Sequence, residues 1–443
     1  MNPFRFIVSF VVLSLSVGCS DWNEPPVEEI PPPAEETTTF VSVEQATDAL
    51  CEFMELLGAQ TRSGRTRRIA EVVTLGGFAE TRAAGSTQDE PLVYLFNFAD
   101  DEGFALVSGD SRVGDVLAFV EEGNLDPEVG TDNPGFAIFL SCADTYYRLK
   151  TGLPVYDADG DLVVVSDGDD GYDPDIDEDY VEYSDWYDSY EWGQKIPCQW
   201  GQGNPLNEYC PSINNRLALA GCVAIAVAQI MYQHGYNYTY DGTAYDWDII
   251  RNFRYRNDYT QESAVMAAKL VADLGRPENL DMNYGVSGSG AYSINVPRTF
   301  CNFGYTSVDA IQFLGNIGTS VRQRRPVYIE GFASQSANKY PASGSILGIA
   351  ATRTVYTDGH AWVIDTILEQ KRNIYTYRYD GVLLKTEYEN RSFVHCNWGW
   401  WGDKDGYYFS NVFDTTKGPV LVRAAEYPYY YQYYLRMITN IHP

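Results

Sequence analysis

The chain has 443 residues, 45% of them hydrophobic. Its formal net charge is −30, because it contains 61 acidic and 31 basic residues. This length is sufficient for two or three domains with cores of their own. The acidic balance argues against nucleic-acid binding, which depends on basic side chains that neutralise phosphates.

The first 36 residues read as targeting and tethering segments. In residues 1–19, Arg5 precedes an apolar run that is too short to span a membrane as a mature helix, which is typical of a signal peptide. Cys19 follows Gly18, as the lipidated cysteine of a bacterial lipoprotein does, although Ser16 stands where leucine is usual. An ordinary secretory signal is the alternative. Residues 20–36 are proline-rich and predict a tether. We expect an exported protein, held at the outer membrane or cell surface by a lipid on Cys19.

Residues 37–150 predict a small α+β domain. Apolar residues recur at helical spacing over 41–57, and alternating strand patterns follow at 92–98 and 103–108. A second amphipathic helix is predicted over 135–149. This helix, strands, helix order is long enough for an independent domain.

Residues 151–183 predict an acidic linker. No lysine or arginine occurs between Lys150 and Lys195, so this stretch is expected to be extended and solvated. The alternating carboxylates of 157–161 also suggest a calcium loop. However, the glycine comes too early for an EF-hand and no glutamate follows at the twelfth position, which favours a plain linker.

Residues 184–443 predict a second α+β domain in which helices precede an antiparallel sheet. Helical patterns begin at Cys222, ending at Gly235, and cover 262–274. Strand patterns follow at 327–330, 360–364, 374–379, 392–396 and 406–409. A cleft between the helical and the sheet halves is expected.

Cys222 is the candidate nucleophile of this domain. It follows Gly221 and begins a small apolar helix, whose N-terminal N–H groups favour a thiolate. A cysteine that only packs in a buried helix is the alternative. The remaining cysteines form no C-x-x-C pair and the histidines have no zinc-site spacing, so no metal or cofactor is expected. Cys198 and Cys210 could form a disulfide, and the alternative is that they are two separate, packed thiols.

Three further residues complete a candidate catalytic set. His360, next to Gly359 at the start of an apolar strand, is the preferred base, and His395 is the competing candidate. Asn397, among tryptophans, is suited to orient the imidazole. The side chain of Gln202, together with the Cys222 N–H, is suited to hold an oxyanion.

These segments, in this order, resemble the streptopain-like cysteine peptidases, a bacterial branch of the papain-like fold. The resemblance rests on four motifs: Gln202-Gly203-Asn204-Pro205, Gly221-Cys222-Val223-Ala224, Gly359-His360-Ala361 and Asn397-Trp398-Gly399-Trp400. It implies a two-lobed papain-like domain preceded by an inhibitory propeptide, to which the segment 103–110 is similar. It also implies substrate-binding positions at Gly288, Ser289, Gly290, Gly359 and Trp398. The segment 333–357 is longer than the family pattern.

The sequence therefore predicts an exported cysteine endopeptidase zymogen that acts on proteins or peptides and is inhibited by its own propeptide. The family's mechanism implies a thioester on Cys222. A non-catalytic adhesion or protease-inhibitor module, and an amidase or acyl transferase on the same scaffold, are the alternatives.

Overall fold

The computed structural model describes residues 39–58, 67–76, 93–151, 180–312, 317–331, 359–413 and 435–443, with the backbone of 155–156 and 162–164. The predicted signal peptide, the tether, most of the acidic linker and the 333–357 segment lie outside the described residues. Among the described helices, none has the length and apolar character needed to cross a membrane.

The N-terminal domain packs two helices against an antiparallel sheet. Helix α1 (Val43–Leu57) begins at Ser42, which forms a reciprocal capping box with Gln45. Helix α2 (Pro134–Thr151) begins beside Asn133, whose Oδ1 accepts from the N–H groups of Gly135 and Phe136 at 2.9 and 3.1 Å. Both predicted helices are confirmed. The strands are β1 (Ile69–Leu75), β2 (Val93–Phe98), β3 (Phe104–Ser108) and β4 (Val116–Val120).

In the C-terminal domain the helices precede the five principal strands in sequence, as predicted. Its helices are α3 (Cys222–His234), α4 (Trp247–Ile250), α5 (Gln261–Leu274), α6 (Val296–Asn302) and α7 (Ile317–Arg322). Its principal strands are β13 (Val327–Gly331), β14 (His360–Tyr377), β15 (Leu383–Asn397), β16 (Gly406–Phe409) and β17 (Arg436–Ile438). Short two-stranded pairs join β9 (Ser212–Ile213) to β10 (Arg216–Leu217) and β11 (Thr239–Tyr240) to β12 (Thr243–Ala244).

One sheet runs through both domains. In the described part of the chain its order is β1-β2-β3-β4-β16-β15-β14-β13-β17, so the N-terminal domain joins the C-terminal domain where β4 pairs with β16. This junction is antiparallel, with Tyr407 opposite Phe119 and Gly406 opposite Val120. A Cβ at Gly406 would lie 2.3 Å from the Phe119 carbonyl oxygen, so only glycine permits this close approach.

The acidic linker is more structured than predicted. Strands β5 (Val155–Tyr156) and β6 (Leu162–Val164) pair with each other. Strand β7 (Tyr180–Tyr183) at the end of the linker pairs with β14 of the main sheet, as does the following strand β8 (Tyr187–Gly193) of the C-terminal domain. The last four residues of the predicted linker, 180–183, are extended and their side chains are exposed, but their backbone pairs with β14 instead of being solvated on both sides.

The apolar side chains form two clusters, one of which spans the domain boundary. This shared cluster joins N-terminal residues to the outer face of the C-terminal sheet. Phe53 of α1 meets Phe393 of β15 with ring centroids 4.8 Å apart, and Phe139 of α2 meets Tyr408 of β16 at 4.6 Å. The second cluster surrounds α3 and α5. The two clusters lie on opposite faces of β14, because Trp362 and Ile364 belong to the first and Ala361 and Val363 to the second.

Charged and aromatic groups reinforce the boundary. The Arg391 guanidinium lies 2.6 Å from the Asp115 carboxylate and 4.1 Å from the ring centre of Trp186. The Trp186 indole donates to the same carboxylate at 3.0 Å, and its backbone N–H donates to Glu52 at 2.6 Å. Because Arg391 is buried, removing its acidic partners would leave an uncompensated charge. These contacts hold the N-terminal domain on the sheet.

Candidate active site

A cleft of about 600 Å³ lies between the N-terminus of α3 and the sheet. Its walls bring together seven of the nine residues predicted for catalysis and substrate binding, namely Gln202, Cys222, Gly288, Ser289, Gly290, Gly359 and His360. The other two, Asn397 and Trp398, lie behind the wall. Within the described ranges, no group of three or more His, Cys, Asp or Glu side chains could hold a metal ion.

Cys222 is the first residue of α3, and Gly221 before it has a φ of 90° that favours glycine. A Cβ at Gly221 would also lie 3.0 Å from the Ser289 carbonyl oxygen. We expected the helix N-terminus to lower the pKa of the Cys222 thiol. In this structure burial outweighs that effect and raises the pKa of Cys222 to about 11. Backbone hydrogen bonds from Ala361 and Val223 oppose that rise, while the charge of Glu330 adds to it. The sulfur is therefore a neutral thiol here.

His360 begins β14 and is buried beside the cleft. Its Nε2 lies 2.7 Å from the carbonyl oxygen of Trp398, so Nε2 carries the proton and Nδ1 keeps its lone pair. Burial lowers the pKa of His360 to about 4, although the hydrogen bond to Trp398 opposes this. No hydrogen bond links His360 to Cys222 in the described structure, so the two groups are an uncharged pair.

Asn397 does not contact His360 among the described hydrogen bonds. Its Oδ1 accepts from the Gln229 side chain at 2.7 Å and from the Gly399 N–H at 3.1 Å, and its Nδ2 donates to the Cys198 carbonyl at 2.9 Å. The amide therefore ties the segment after β15 to helix α3. In this arrangement Asn397 positions the Trp398 carbonyl rather than the imidazole itself, and its predicted direct contact with His360 is replaced by a backbone acceptor.

Gln202 is buried at the edge of the cleft, and its backbone carbonyl accepts from the Ala220 N–H at 2.9 Å. This bond places the glutamine beside the turn that leads into Cys222. Its side-chain amide has no hydrogen-bond partner among the described residues. The amide is therefore available to donate to a substrate oxygen, and its assignment to an oxyanion hole stays a prediction.

The predicted substrate loop is held by its own hydrogen bonds. Ser289 Oγ donates to the Leu219 carbonyl at 2.6 Å and accepts from the Gly285 N–H at 2.9 Å. Asn283 and Gly290 exchange two backbone hydrogen bonds at 2.9 and 3.1 Å. The Ser289 hydroxyl is thus committed to the protein, which leaves the glycine backbone as the loop's surface toward a substrate.

Trp398 does not line the cleft with its side chain. The indole is fully buried and donates to the Lys404 carbonyl at 2.8 Å, while its backbone N–H donates to Asp405 at 2.9 Å. Trp400, which the sequence placed in the same motif but not among the substrate-binding residues, lines the cleft instead. Trp400 also meets His360 edge to face, with ring centroids 6.1 Å apart. The predicted substrate contact of Trp398 is therefore absent from the described site.

His395, the competing base, belongs to a buried ionic cluster outside the cleft lining. Its Nδ1 lies 2.7 Å from Asp365, and its Nε2 lies 3.6 Å from Glu121 of the N-terminal domain. Burial opposes the charge, but the two carboxylates raise the pKa of His395 to about 10. Glu121 also pairs with Lys195. The imidazolium and the ammonium hold the pKa of Glu121 well below its usual range, although burial alone would raise it.

The N-terminal domain reaches the cleft through the turn before α2. Asp132 and Pro134 contribute to the cleft wall, and the side chain of Asn133 donates to the Asp403 carbonyl at 2.6 Å. Gly135, in the first turn of α2, packs against the indole of Trp398. A Cβ added at Gly135 would lie 2.1 Å from a ring carbon of this indole. The same tryptophan therefore carries the acceptor for His360 and the docking surface for the N-terminal domain.

Replacing Gly135 by valine is expected to loosen this wall. The new side chain overlaps a core indole, which costs about 1–3 kcal/mol and moves α2 outward. We expect faster alkylation of Cys222 in the uncleaved chain and a lower melting temperature. Glu55→Ala, on the exposed face of α1, is the control. A lower melting temperature with an unchanged alkylation rate would contradict this coupling.

A thiol at a helix N-terminus, an imidazole of fixed tautomer across the same cleft and an α+β fold define a cysteine peptidase. The described cysteines from Cys51 to Cys396 are all free, so none of these thiols is held in a disulfide. Two family models match the chain. The Peptidase C10 family matches residues 200–408, and the Spi protease inhibitor family matches residues 38–146.

The chain is also similar to several known proteins. Streptopain of Streptococcus pyogenes is 25% identical over 416 residues, covering 82% of this chain and 83% of that protein. The thiol protease/hemagglutinin PrtT of Porphyromonas gingivalis is 22% identical, covering 73% of this chain and 34% of that protein. A solved fragment of prointerpain A from Prevotella intermedia is 20% identical, covering 83% of this chain and 98% of the fragment, with a TM-score of 0.48.

Residues 200–408 identify a streptopain-like cysteine peptidase through the Peptidase C10 family. The chain combines a C10 peptidase domain with an N-terminal domain of the Spi inhibitor type, which is the organisation of a cysteine protease zymogen. The predicted fold class, the enzyme class and the family are confirmed.

Proposed function

We propose that this zymogen is exported and that, once cut within the acidic linker, it acts as an endopeptidase through a Cys222 thioester. One observation carries the proposal: Cys222 and His360 border the same cleft, and the Trp398 carbonyl fixes the imidazole tautomer that can accept the thiol proton. This arrangement assigns a role to each group in the two half-reactions of peptide hydrolysis.

In the first half-reaction, the thiol proton passes to Nδ1 of His360. The Cys222 sulfur then bonds to the carbonyl carbon of the substrate, and the carbonyl oxygen becomes an oxyanion. The N–H of Cys222 and the side-chain amide of Gln202 donate to this oxygen. When the C–N bond breaks, the imidazolium gives its proton to the leaving amine, and a thioester remains.

In the second half-reaction, water attacks the thioester carbon and gives a proton to His360. The C–S bond breaks, the acid product leaves and the proton returns to the sulfur. The Trp398 carbonyl accepts the Nε2–H throughout, and Asn397 holds the segment that carries it. Asn397 therefore acts as a positioning residue in this scheme.

The N-terminal domain keeps the zymogen latent in this proposal. Asp132 and Pro134 contribute to the cleft wall, and the Cys222 thiol and the buried His360 imidazole are both neutral, so the reactive ion pair is not formed. Removal of the domain would open that wall to water and substrate. Hydration then favours the charged thiolate and imidazolium forms.

Labelling with an epoxysuccinate inhibitor tests the proposal. After cleavage in the linker we expect one label per chain, on Cys222, identified by peptide mass spectrometry, together with digestion of casein. The uncleaved chain should react much more slowly. Cys51 and Cys301 are exposed thiols and serve as internal controls for unspecific alkylation. A processed sample without label on Cys222 would contradict the mechanism.

Export and lipid attachment are further parts of the proposal, supported by the signal-like residues 1–19 and by Cys19 after Gly18. Cys19→Ser should abolish incorporation of a labelled fatty acid and move the protein out of the membrane fraction. Fatty acid incorporation that survives this substitution would place the anchor elsewhere.

A further inference from the structure

The hairpin formed by β14 and β15 has one open edge. β14 is covered on its other side by β13, β8 and β7. β15 pairs with β16 only over Phe393–Cys396. No other described strand pairs with β15, so its first half is hydrogen-bonded to a neighbouring strand on one side only. This half is exposed, and Tyr388 is 62% accessible. An exposed edge of this length is a template for another strand.

The hydrogen bonds show which residues face the open edge. Successive residues of β14 direct their backbone N–H and C=O groups alternately toward β15 and toward the strand on the other side. The Ser184 N–H donates to the Asn373 carbonyl at 3.0 Å, so odd-numbered residues bond toward β7 and its neighbours. Thr386 lies opposite Tyr375 and therefore directs its own N–H and C=O to the open edge.

The side chains around Thr386 are self-complementary. Lys385 and Glu387 flank it on the opposite face of the strand, and their charged atoms lie 2.8 Å apart within the chain. In an antiparallel pair of two copies with Thr386 on the two-fold axis, each Lys385 faces a Glu387 of the other copy. The two threonines face each other and exchange two backbone hydrogen bonds.

Neighbouring registers are opposed by charge. An axis on Lys385 places two lysines opposite each other, and an axis on Glu387 places two glutamates opposite each other. An axis on Tyr388 places Glu387 opposite Glu389. Because like charges directly opposite are destabilising, the pattern selects the Thr386 register.

The hairpin lacks the strong negative charge of the chain as a whole. Residues 371–391 contain five basic and three acidic residues, whereas the whole chain has a formal charge of −30. Two copies that approach through this segment avoid the strongest mutual repulsion. Balanced charge, outward backbone groups and exposure therefore coincide at one edge.

We infer that the protein forms a two-fold dimer through the exposed half of β15, which joins the sheets of two copies into one. The interface is isologous, with the same strand on both sides. The occupant of the edge is a second copy of this chain, and the interface does not depend on catalysis.

Sedimentation velocity of the full chain tests this inference. Cys222→Ala should serve as the background, because it prevents self-digestion without touching the hairpin. We expect a reversible monomer–dimer equilibrium as concentration rises. Lys385→Glu should abolish the dimer by placing glutamate opposite Glu387. The exchange variant Lys385→Glu with Glu387→Lys should restore it, because the strand is then self-complementary again.

Cross-linking provides a second readout. Thr386→Cys should form an intermolecular disulfide under mild oxidation, since the two positions face each other on the axis. Glu387→Cys, which would face Lys385 of the second copy, should cross-link more slowly. Circular dichroism and thermal unfolding establish that each variant is folded. A monomer at all concentrations, or a dimer that survives Lys385→Glu, would overturn the inference.

Discussion

Cys222→Ala is expected to lower kcat/KM of the processed enzyme about 10⁶-fold, because the substitution removes the atom that forms the covalent intermediate. The helix that carries Cys222 has its cap at Gly221 and a buried apolar body, neither of which depends on the sulfur. The variant should therefore fold. Hydrolysis of a fluorogenic peptide by the processed protein measures the effect.

Cys301→Ala is the matched control for this loss. Its thiol is exposed and lies outside the cleft lining, so kcat/KM should not change. Uncleaved Cys222→Ala should also accumulate if the linker is cut by the enzyme itself. Substantial peptide hydrolysis by Cys222→Ala would show that the reactive group lies elsewhere.

The uncleaved chain is expected to lose stability on mild acidification because His360 is buried and neutral. Its pKa falls from the ordinary value of 6.5 to about 4 in this structure. Between these values the unfolded chain binds more protons than the folded chain. The contribution of His360 is therefore undiminished above pH 6.5 and declines as pH falls toward 4, by on the order of 3 kcal/mol in all.

Urea unfolding of Cys222→Ala at neutral pH and at about pH 5 measures this decline. His360→Gln in the same background retains an N–H donor for the Trp398 carbonyl but cannot titrate, so its stability should depend less on pH. His234, whose pKa burial also lowers to about 4, remains in both proteins and cancels in the comparison. Identical pH dependence of the two proteins would exclude His360 as the titrating group.

Local patterns predicted the elements that build the site. Gly221 before a small apolar run indicated the start of α3 at Cys222, and the structure begins the helix at that residue. The strand pattern at 406–409 is also confirmed without a shift. In both cases the signal lies within a few residues, because a turn or an apolar alternation defines it.

Long-range pairing was not predictable in the same way. The patterns at 360–364 and 374–379 suggested two strands, because the polar residues between them interrupt the apolar run. The structure has one strand of 18 residues, β14, supported there by β15 on one side and β8 on the other. Partners that are distant in sequence override the local pattern.

The site shows the same limit at atomic scale. The sequence indicated Asn397 as the orienting group, whereas the acceptor for His360 is the backbone carbonyl of Trp398. Every residue has a carbonyl group, so residue type carries no signal for this role. The raised pKa of Cys222 was equally hidden, because burial depends on the packed cleft and not on the helix N-terminus alone.

The junction between β4 and β16 has a consequence for biosynthesis. The N-terminal domain leaves the ribosome first and can complete its four strands before β16 is made, which gives the later strands a preformed template. Once the N-terminal domain is removed, β16 becomes an unpaired edge strand. The rings of Phe393 and Tyr408 then lose their contacts with Phe53 and Phe139. We therefore expect that a catalytic domain synthesised alone would assemble slowly and aggregate readily, and that maturation is a one-way event.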